Sequence, residues 1–397
     1  PVPPSPRRGG VETQLAARRR AESRLRTIAL LFPLDGRYRL EIDDRTEARA
    51  RRYAADLGPA PKLTTYGFEV LEPRALGAAV EAARGLTGVR NVHVENPAGF
   101  DLGALDRLVA TFDAAVLSVH DHSLFCPRSD LFSPPLNAFC SYSTDRVTCA
   151  SCLRAPEGWQ ETRRVQSQQL LDQVASVIFP SPYLLAVHEE LFAAIDTTRW
   201  HTIAPAAETL PAPLSSLEKQ RIAYVGAARP AKGANLFADL VSHLSTRHHN
   251  LEFHAFGGGD PAVLARFRSL GIWVHGYYRT GTLPRRLAAE NIGLALLPSV
   301  VPESYNLAVD ECARAGVPSV VLDLGAPAER VRELGLGRVA TTTSVGGSRV
   351  SLNDLIEDHL RQPIPRPSPE AIASLPSPRL VAAAAVECYR LRSVSRE

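Results

Sequence analysis

Between residues 221 and 343, short apolar runs alternate with stretches where apolar residues return every three or four positions. The runs Arg221–Val225, Leu251–Phe256, Ile272–Val274, Ile292–Leu297, Ser319–Leu322 and Arg338–Thr341 predict strands. The intervening periodicity predicts helices over 234–247, 261–270, 282–290, 305–315 and 326–334. Near-continuous apolar strands separated by helices are the pattern of an α/β fold with a doubly wound parallel sheet. Ligands of such sheets bind at the carboxyl ends of the strands.

The first half repeats the theme less regularly, with strands predicted at Thr27–Phe32, Val89–Val94, Ala115–Val119, Val174–Phe179 and Thr202–Ala204. Pro205–Ser216, rich in proline and serine, is expected to link the halves and to act as a hinge. A proline-rich tail over 361–378 leads into an Ala-rich helix at about 379–392. The pattern predicts an N-terminal Rossmann-like domain over 1–210, with a Cys-rich loop at 120–153, and a C-terminal Rossmann-like domain over 220–365. Residues 366–397 are expected to pack back on the first domain.

Composition narrows the function. At 397 residues, 45% hydrophobic and 22% charged, the chain is long enough for two packed domains. A net charge of +3 gives no footprint for nucleic acid. No apolar run reaches the length of a membrane span and no secretory signal is seen, so the expected compartment is the cytoplasm. The arginines Arg18, Arg19, Arg20, Arg24, Arg26, Arg45, Arg49, Arg51 and Arg52 are expected on a solvated helix face. The alternative is peripheral attachment to anionic lipid, or to a lipid-linked acceptor, at the inner face of the membrane. The chain has no methionine, and compact motifs therefore carry more weight than long spacings.

The chemistry gathers at strand ends. After Leu297 come Pro298-Ser-Val-Val-Pro-Glu303-Ser304-Tyr305-Asn306-Leu307 and, eight residues beyond Glu303, Glu311. A helix is expected to open near Ser304, with its unbonded N–H groups forming an anion site. Eight helical residues rise about 12 Å, too far for two carboxylates to share one hydrolysed bond but suited to the two ends of a long ligand. An acidic helix cap plus a surface glutamate is the plainer alternative. Gly226-Ala-Ala-Arg229-Pro-Ala-Lys232-Gly233 places two cations after the preceding strand, and Gly257-Gly258-Gly259-Asp260 allows close backbone approach after the next. His275-Gly276-Tyr277-Tyr278 could meet a base or fill a core.

In this order, with Ala315-Gly-Val-Pro318 following, the motifs resemble the retaining glycosyltransferases of family four, of the GT-B fold. The resemblance covers the C-terminal domain, with the Glu303-x7-Glu311 spacing its specific part. It implies two Rossmann-like domains, a nucleotide-sugar donor and transfer to a hydroxyl of a glycan, lipid-linked or small-molecule acceptor. It also implies front-face substitution, with the leaving phosphate taking the acceptor proton. Arg229, Lys232 and the helix start would stabilise the diphosphate, with Ser304, Tyr305, Asn306, Leu307, Gly258, Gly276 and Tyr277 around the donor. Glu303 would hold the sugar and Glu311 the ribose, and no catalytic metal is expected. In the first half, Gly9 and Gly10 resemble a phosphate-contacting loop, and His120 sits where the family has a sugar-contacting histidine. Ala227 departs from the arginine of many relatives. A GT-B phosphorylase and a non-catalytic nucleotide-sugar-binding partner protein remain alternatives.

Cys126, Cys140, Cys149 and Cys152 follow His120. Their spacing fits a structural zinc site, with free buried thiols or disulfides as alternatives.

Overall fold

The computed structural model describes Leu15, Arg19 and residues 28–44, 51–206, 210, 212–341 and 351–390. These fall into two compact units. One holds the described residues up to Ala206 and those from Ser377 onward, the other those within Ala207–Pro376.

The first unit opens with strands β1 (Ile28–Leu34), β2 (Arg37–Asp44) and β3 (Arg51–Pro59) in an antiparallel sheet, followed by the hairpin β4 (Lys62–Thr65) and β5 (Phe68–Leu71). This corrects the expectation that Thr27–Phe32 starts a parallel repeat. The cause is local. Asp35 and Gly36 both take positive φ, 49° and 74°, as a two-residue hairpin turn requires. A parallel sheet follows, made of β6 (Asn91–Val94), β7 (Ala114–Ser118), β10 (Ser176–Phe179) and β11 (Trp200–Thr202) in the order β11-β10-β7-β6. Between β7 and β10 lie a short hairpin, β8 (Phe132–Ser133) and β9 (Ala138–Phe139), and the helices Arg146–Leu153 and Trp159–Gln173. Leu117, Leu170, Leu171 and Phe179 are completely buried in the core of this sheet. From the far end of the chain, helix Pro378–Arg390 lays Val381, Ala385 and Cys388 on Val116, Ile178 and Ile203. Spacings of four and three put those residues on one helical stripe.

The second unit contains β12 (Glu218–Val225), β13 (Glu252–Phe256), β14 (Trp273–Gly276), β15 (Ile292–Leu297), β16 (Ser319–Leu322) and β17 (Gly337–Ala340). All pair in parallel, in the order β14-β13-β12-β15-β16-β17. The strand order thus reverses between β12 and β15. Alternation along β12 sends Ile222 and Tyr224 to one hydrophobic layer and Ala223 and Val225 to the other. Both faces are buried, which explains why these strands read as unbroken apolar runs.

Helices start on side-chain caps. Asp260 accepts from Ala262 N, and Ser351 and Asp354 form a capping box ahead of Leu352–Arg361. Each such cap contributes about 1 kcal/mol. Of the expected linker, Ser215 is buried in the second unit and its hydroxyl donates to Ile292 O at 2.7 Å, while Leu210 N donates to Gly281 O at 3.0 Å. Both bonds tie this segment to the second unit.

Candidate active site

At the reversal between β12 and β15, the loops following four neighbouring strands are bonded to one another. Gly226 N donates to Phe256 O at 3.0 Å and Ala228 N to Gly258 O at 2.8 Å, joining the loops after β12 and β13. Val300 N donates to Ala231 O at 3.1 Å, joining the loops after β15 and β12. Ala326 N donates to Glu303 O at 3.0 Å, adding the loop after β16. Buried Tyr224 supports the first loop from below, its hydroxyl donating to Ala227 O at 2.6 Å. The close approach requires glycine. A Cβ on Gly233 would stand 1.8 Å from Pro298 O, and one on Gly257 2.0 Å from Gly226 O.

Glu303 lies at the centre. Its Oε2 is 2.5 Å from Lys232 Nζ and its Oε1 accepts from Asn306 Nδ2 at 3.0 Å. Two residues distant in sequence, one after β12 and one after β15, thereby form an ion pair at the sheet's reversal. The helix that follows is Leu307–Arg314. It begins later than the expected opening near Ser304. Asn306 takes a left-handed conformation, φ 70°, and its side-chain oxygen accepts from Ala308 N, so helical geometry cannot extend backward past it. Ser304, Tyr305 and Asn306 are therefore loop and cap, with only Leu307 in the first turn. The 12 Å rise expected between the two glutamates does not apply to a segment whose first part is not helical.

Tyr305 turns its ring inward. Its hydroxyl donates to Asp310 Oδ2 at 3.1 Å, Arg330 lies over the ring at 3.7 Å, and Arg330 also pairs with Asp310. Glu311 is 2% exposed, and its Oε1 accepts from Gly281 N at 2.6 Å. The carboxylate thus serves the turn entering helix Leu283–Ala289. Burial pushes its pKa up to about 7, partly opposed by the backbone N–H groups of Gly281 and Leu283. Arg229 is exposed beside this region. Gly258 is covered by Tyr277, whose ring would stand 2.0 Å from an added Cβ, and Gly276 takes φ 72° at the end of β14. Tyr277 itself is 51% exposed and so offers an aromatic surface.

In the first unit, His120 lies just past β7, where Val119 N still donates to Ile178 O at 2.8 Å. Its Nε2 is 3.5 Å from Glu95 Oε2, and the other oxygen of Glu95 is 3.4 Å from His93 Nε2. Sequence reasoning missed Glu95. The signal was its place immediately after β6, beside the strand that carries His120. Gly9 and Gly10 lie outside the described residues, as do Arg18, Arg20, Arg24, Arg26, Arg45 and Arg49. Arg19 is buried against Glu41, at 2.7 Å, and Asp43. That corrects its assignment to a solvated face.

The four loop cysteines are free thiols, so no disulfide closes the loop. Burial, reinforced by neighbouring cysteines, raises the pKa of Cys140 and pushes that of Cys126 up to about 12. Among the described residues, no three of these sulfurs lie within 4.8 Å of one another. As placed, they do not fit a closed tetrahedral zinc shell.

No helix among the described residues is long and apolar enough to cross a membrane. Residues 219–357 match the family model described as glycosyl transferases group 1. No curated protein matches the chain. Among solved structures, it is similar to sucrose-phosphate synthase from Thermosynechococcus elongatus, with 15% identity, a TM-score of 0.60 and coverage of 81% of this chain and 78% of that one. It is also similar to Anabaena HepE in complex with UDP, with 13% identity, a TM-score of 0.56 and coverage of 80% and 82%. The GtfA/B complex gives 12% identity, a TM-score of 0.54 and coverage of 93% and 80%. The chain therefore has the GT-B glycosyltransferase fold, and its segment 219–357 matches the group 1 glycosyl transferases.

Proposed function

We propose that the protein is a retaining glycosyltransferase that moves a sugar from a nucleoside diphosphate donor to an acceptor hydroxyl. The observation that carries this reading is the Lys232–Glu303 pair, at the strand-order reversal of a sheet whose segment matches the group 1 model. Open α/β sheets bind ligands at that reversal. The presence of UDP in the Anabaena neighbour supports a nucleoside diphosphate as the leaving group.

In this account Lys232 and exposed Arg229 stabilise the negative charge that grows on the departing diphosphate, aided by the first turn of Leu307–Arg314. Glu303 holds a hydroxyl of the transferred sugar through the oxygen it shares with Asn306. Glu311 holds the ribose diol, giving up its bond to Gly281 N–H. Tyr277 stacks on the base. In the first unit, His120 with Glu95 supplies hydrogen-bonding groups for a sugar. Lys232 and Arg229 serve the charge-neutralising role. The leaving phosphate oxygen takes the proton of the acceptor hydroxyl as the new bond forms on the same face.

The test is NMR of the first-formed product, once a donor has been found by thermal-shift screening against nucleotide sugars. Retained anomeric configuration is expected. An inverted product would reject the mechanism, and stabilisation by inorganic phosphate alone would favour a phosphorylase.

A further inference from the structure

At the β14 edge of the second unit, two histidines and a glutamate meet. His254 Nδ1 is 3.0 Å from His275 Nε2, and His275 Nδ1 is 3.9 Å from Glu290 Oε1. One ligand atom from each of the three can be chosen so that all lie within 4.8 Å of one another. From these residues we propose a binding site for a divalent transition-metal ion of the zinc type, held by His254, His275 and Glu290. It is independent of the glycosyl-transfer reading.

The donor chemistry suits such an ion. Imidazole nitrogen with one carboxylate oxygen is a borderline-soft set, which favours zinc, nickel or copper over magnesium or calcium. The imidazoles must be neutral to ligate. Ligand nitrogens around a tetrahedral ion stand roughly 3.3 Å apart, given bonds of about 2.0 Å. The two imidazole nitrogens are already near that separation. Glu290, 40% exposed, has room to swing toward them. Positive charge opposes the ion from two sides. Arg221 is engaged by Glu252 at 3.1 Å and by Glu290 O at 3.0 Å, and Arg286 by His275 O at 3.4 Å.

The rings are held for the task. His254, His275 and Phe256 stack, with Phe256 and His275 at 4.2 Å and 1° between planes. An ion bridging His254 on β13 and His275 on β14 would pin these strands just before Gly257 and Gly276.

The experiment titrates cobalt(II), then zinc(II), into the full chain and into His275→Ala and Glu290→Gln. Wild type is expected to take up one cobalt with visible d–d bands and no near-ultraviolet thiolate charge-transfer band, and zinc should displace it. His275→Ala should lose the signal, and Glu290→Gln should weaken binding about tenfold. Circular dichroism and an unchanged melting temperature without metal keep loss of fold separate from loss of ligand. No nitrogen- and oxygen-ligated cobalt in wild type, a thiolate band alone, or the same titration in both variants would overturn the proposal.

Discussion

Lys232 Nζ stands 2.5 Å from Glu303 Oε2, although the two residues follow different strands and are separated by 71 positions. The pair holds the carboxylate in place beside the helix cap Asn306. Removing either member should therefore have different consequences. Glu303→Ala is expected to lower kcat by roughly a hundredfold or more if, as proposed, this carboxylate holds the transferred sugar where charge develops. Affinity for the free nucleoside diphosphate should stay within about twofold of wild type. Steady-state kinetics beside calorimetry checks this. Equal loss of both quantities would mean that Glu303 only shapes the loop.

Glu311 supplies a prediction about pH. Its folded-state pKa, raised to about 7 from an ordinary 4.5, means that the folded chain binds more protons than the unfolded chain between those values. Stability from this group is present below about pH 4.5, falls as pH rises toward 7, and is lost above it. At about 1.4 kcal/mol per unit, the change is on the order of 3 kcal/mol. Glu311→Gln keeps an acceptor for Gly281 N–H but removes the charge. Urea denaturation at pH 5 and pH 8 should show a stability drop in wild type that is smaller in the variant by about that amount. The same drop in both would remove the buried carboxyl as its source.

The glycine contacts make a paired prediction. Gly233 and Gly335 both take positive φ, 73° and 64°, but only Gly233 lacks space for a Cβ. Gly335→Ala should cost about 1 kcal/mol for the left-handed conformation alone. Gly233→Ala should cost about 3 kcal/mol or more, since the loops after β12 and β15 must also separate. Equal costs in denaturant titrations would show that the two loops are not held together as described.

Arg19 is predicted to matter for folding. Its guanidinium pairs with Glu41 and Asp43 on β2, with 4%, 12% and 9% of the three side chains exposed. Arg19→Ala would leave two carboxylates buried without it, at a cost of about 3 kcal/mol. Thermal unfolding of Arg19→Ala beside Arg19→Lys checks the cause. Arg19→Lys, which keeps the positive charge, should recover part of the deficit. Equal deficits in the two variants would point to packing instead.

The strands of the second unit were legible because a sheet buried on both faces leaves uninterrupted apolar runs such as Ile292–Leu297. β2 was missed although Arg37-Tyr-Arg-Leu-Glu-Ile-Asp-Asp44 alternates charged with apolar residues, the period of a half-buried strand, because its charges merged with an arginine-rich region. The Asp35–Gly36 turn was its available signal. At the site, the glutamate spacing and Lys232 could be read from compact motifs. Their pairing across 71 positions could not, nor could Glu95 beside His120. The start of the second helix at Leu307 depended on a left-handed Asn306, which residue type permits but does not require. The burial of Glu311 against Gly281 likewise depends on tertiary packing, where its spacing from Glu303 carries no information.

The proposed mechanism requires a nucleoside diphosphate to bind where β12 and β15 diverge, with its phosphates at Lys232. Isothermal titration calorimetry of UDP and the other common nucleoside diphosphates, against wild type and Lys232→Ala, tests it most directly. At least one diphosphate should bind wild type at a Kd in the micromolar range, about −8 kcal/mol at 1 μM. Lys232→Ala should weaken it by roughly tenfold to a hundredfold, the worth of a charge-assisted hydrogen bond of about 1.5–3 kcal/mol. Failure of every diphosphate to bind wild type, or equal binding by the folded variant, would rule out this site.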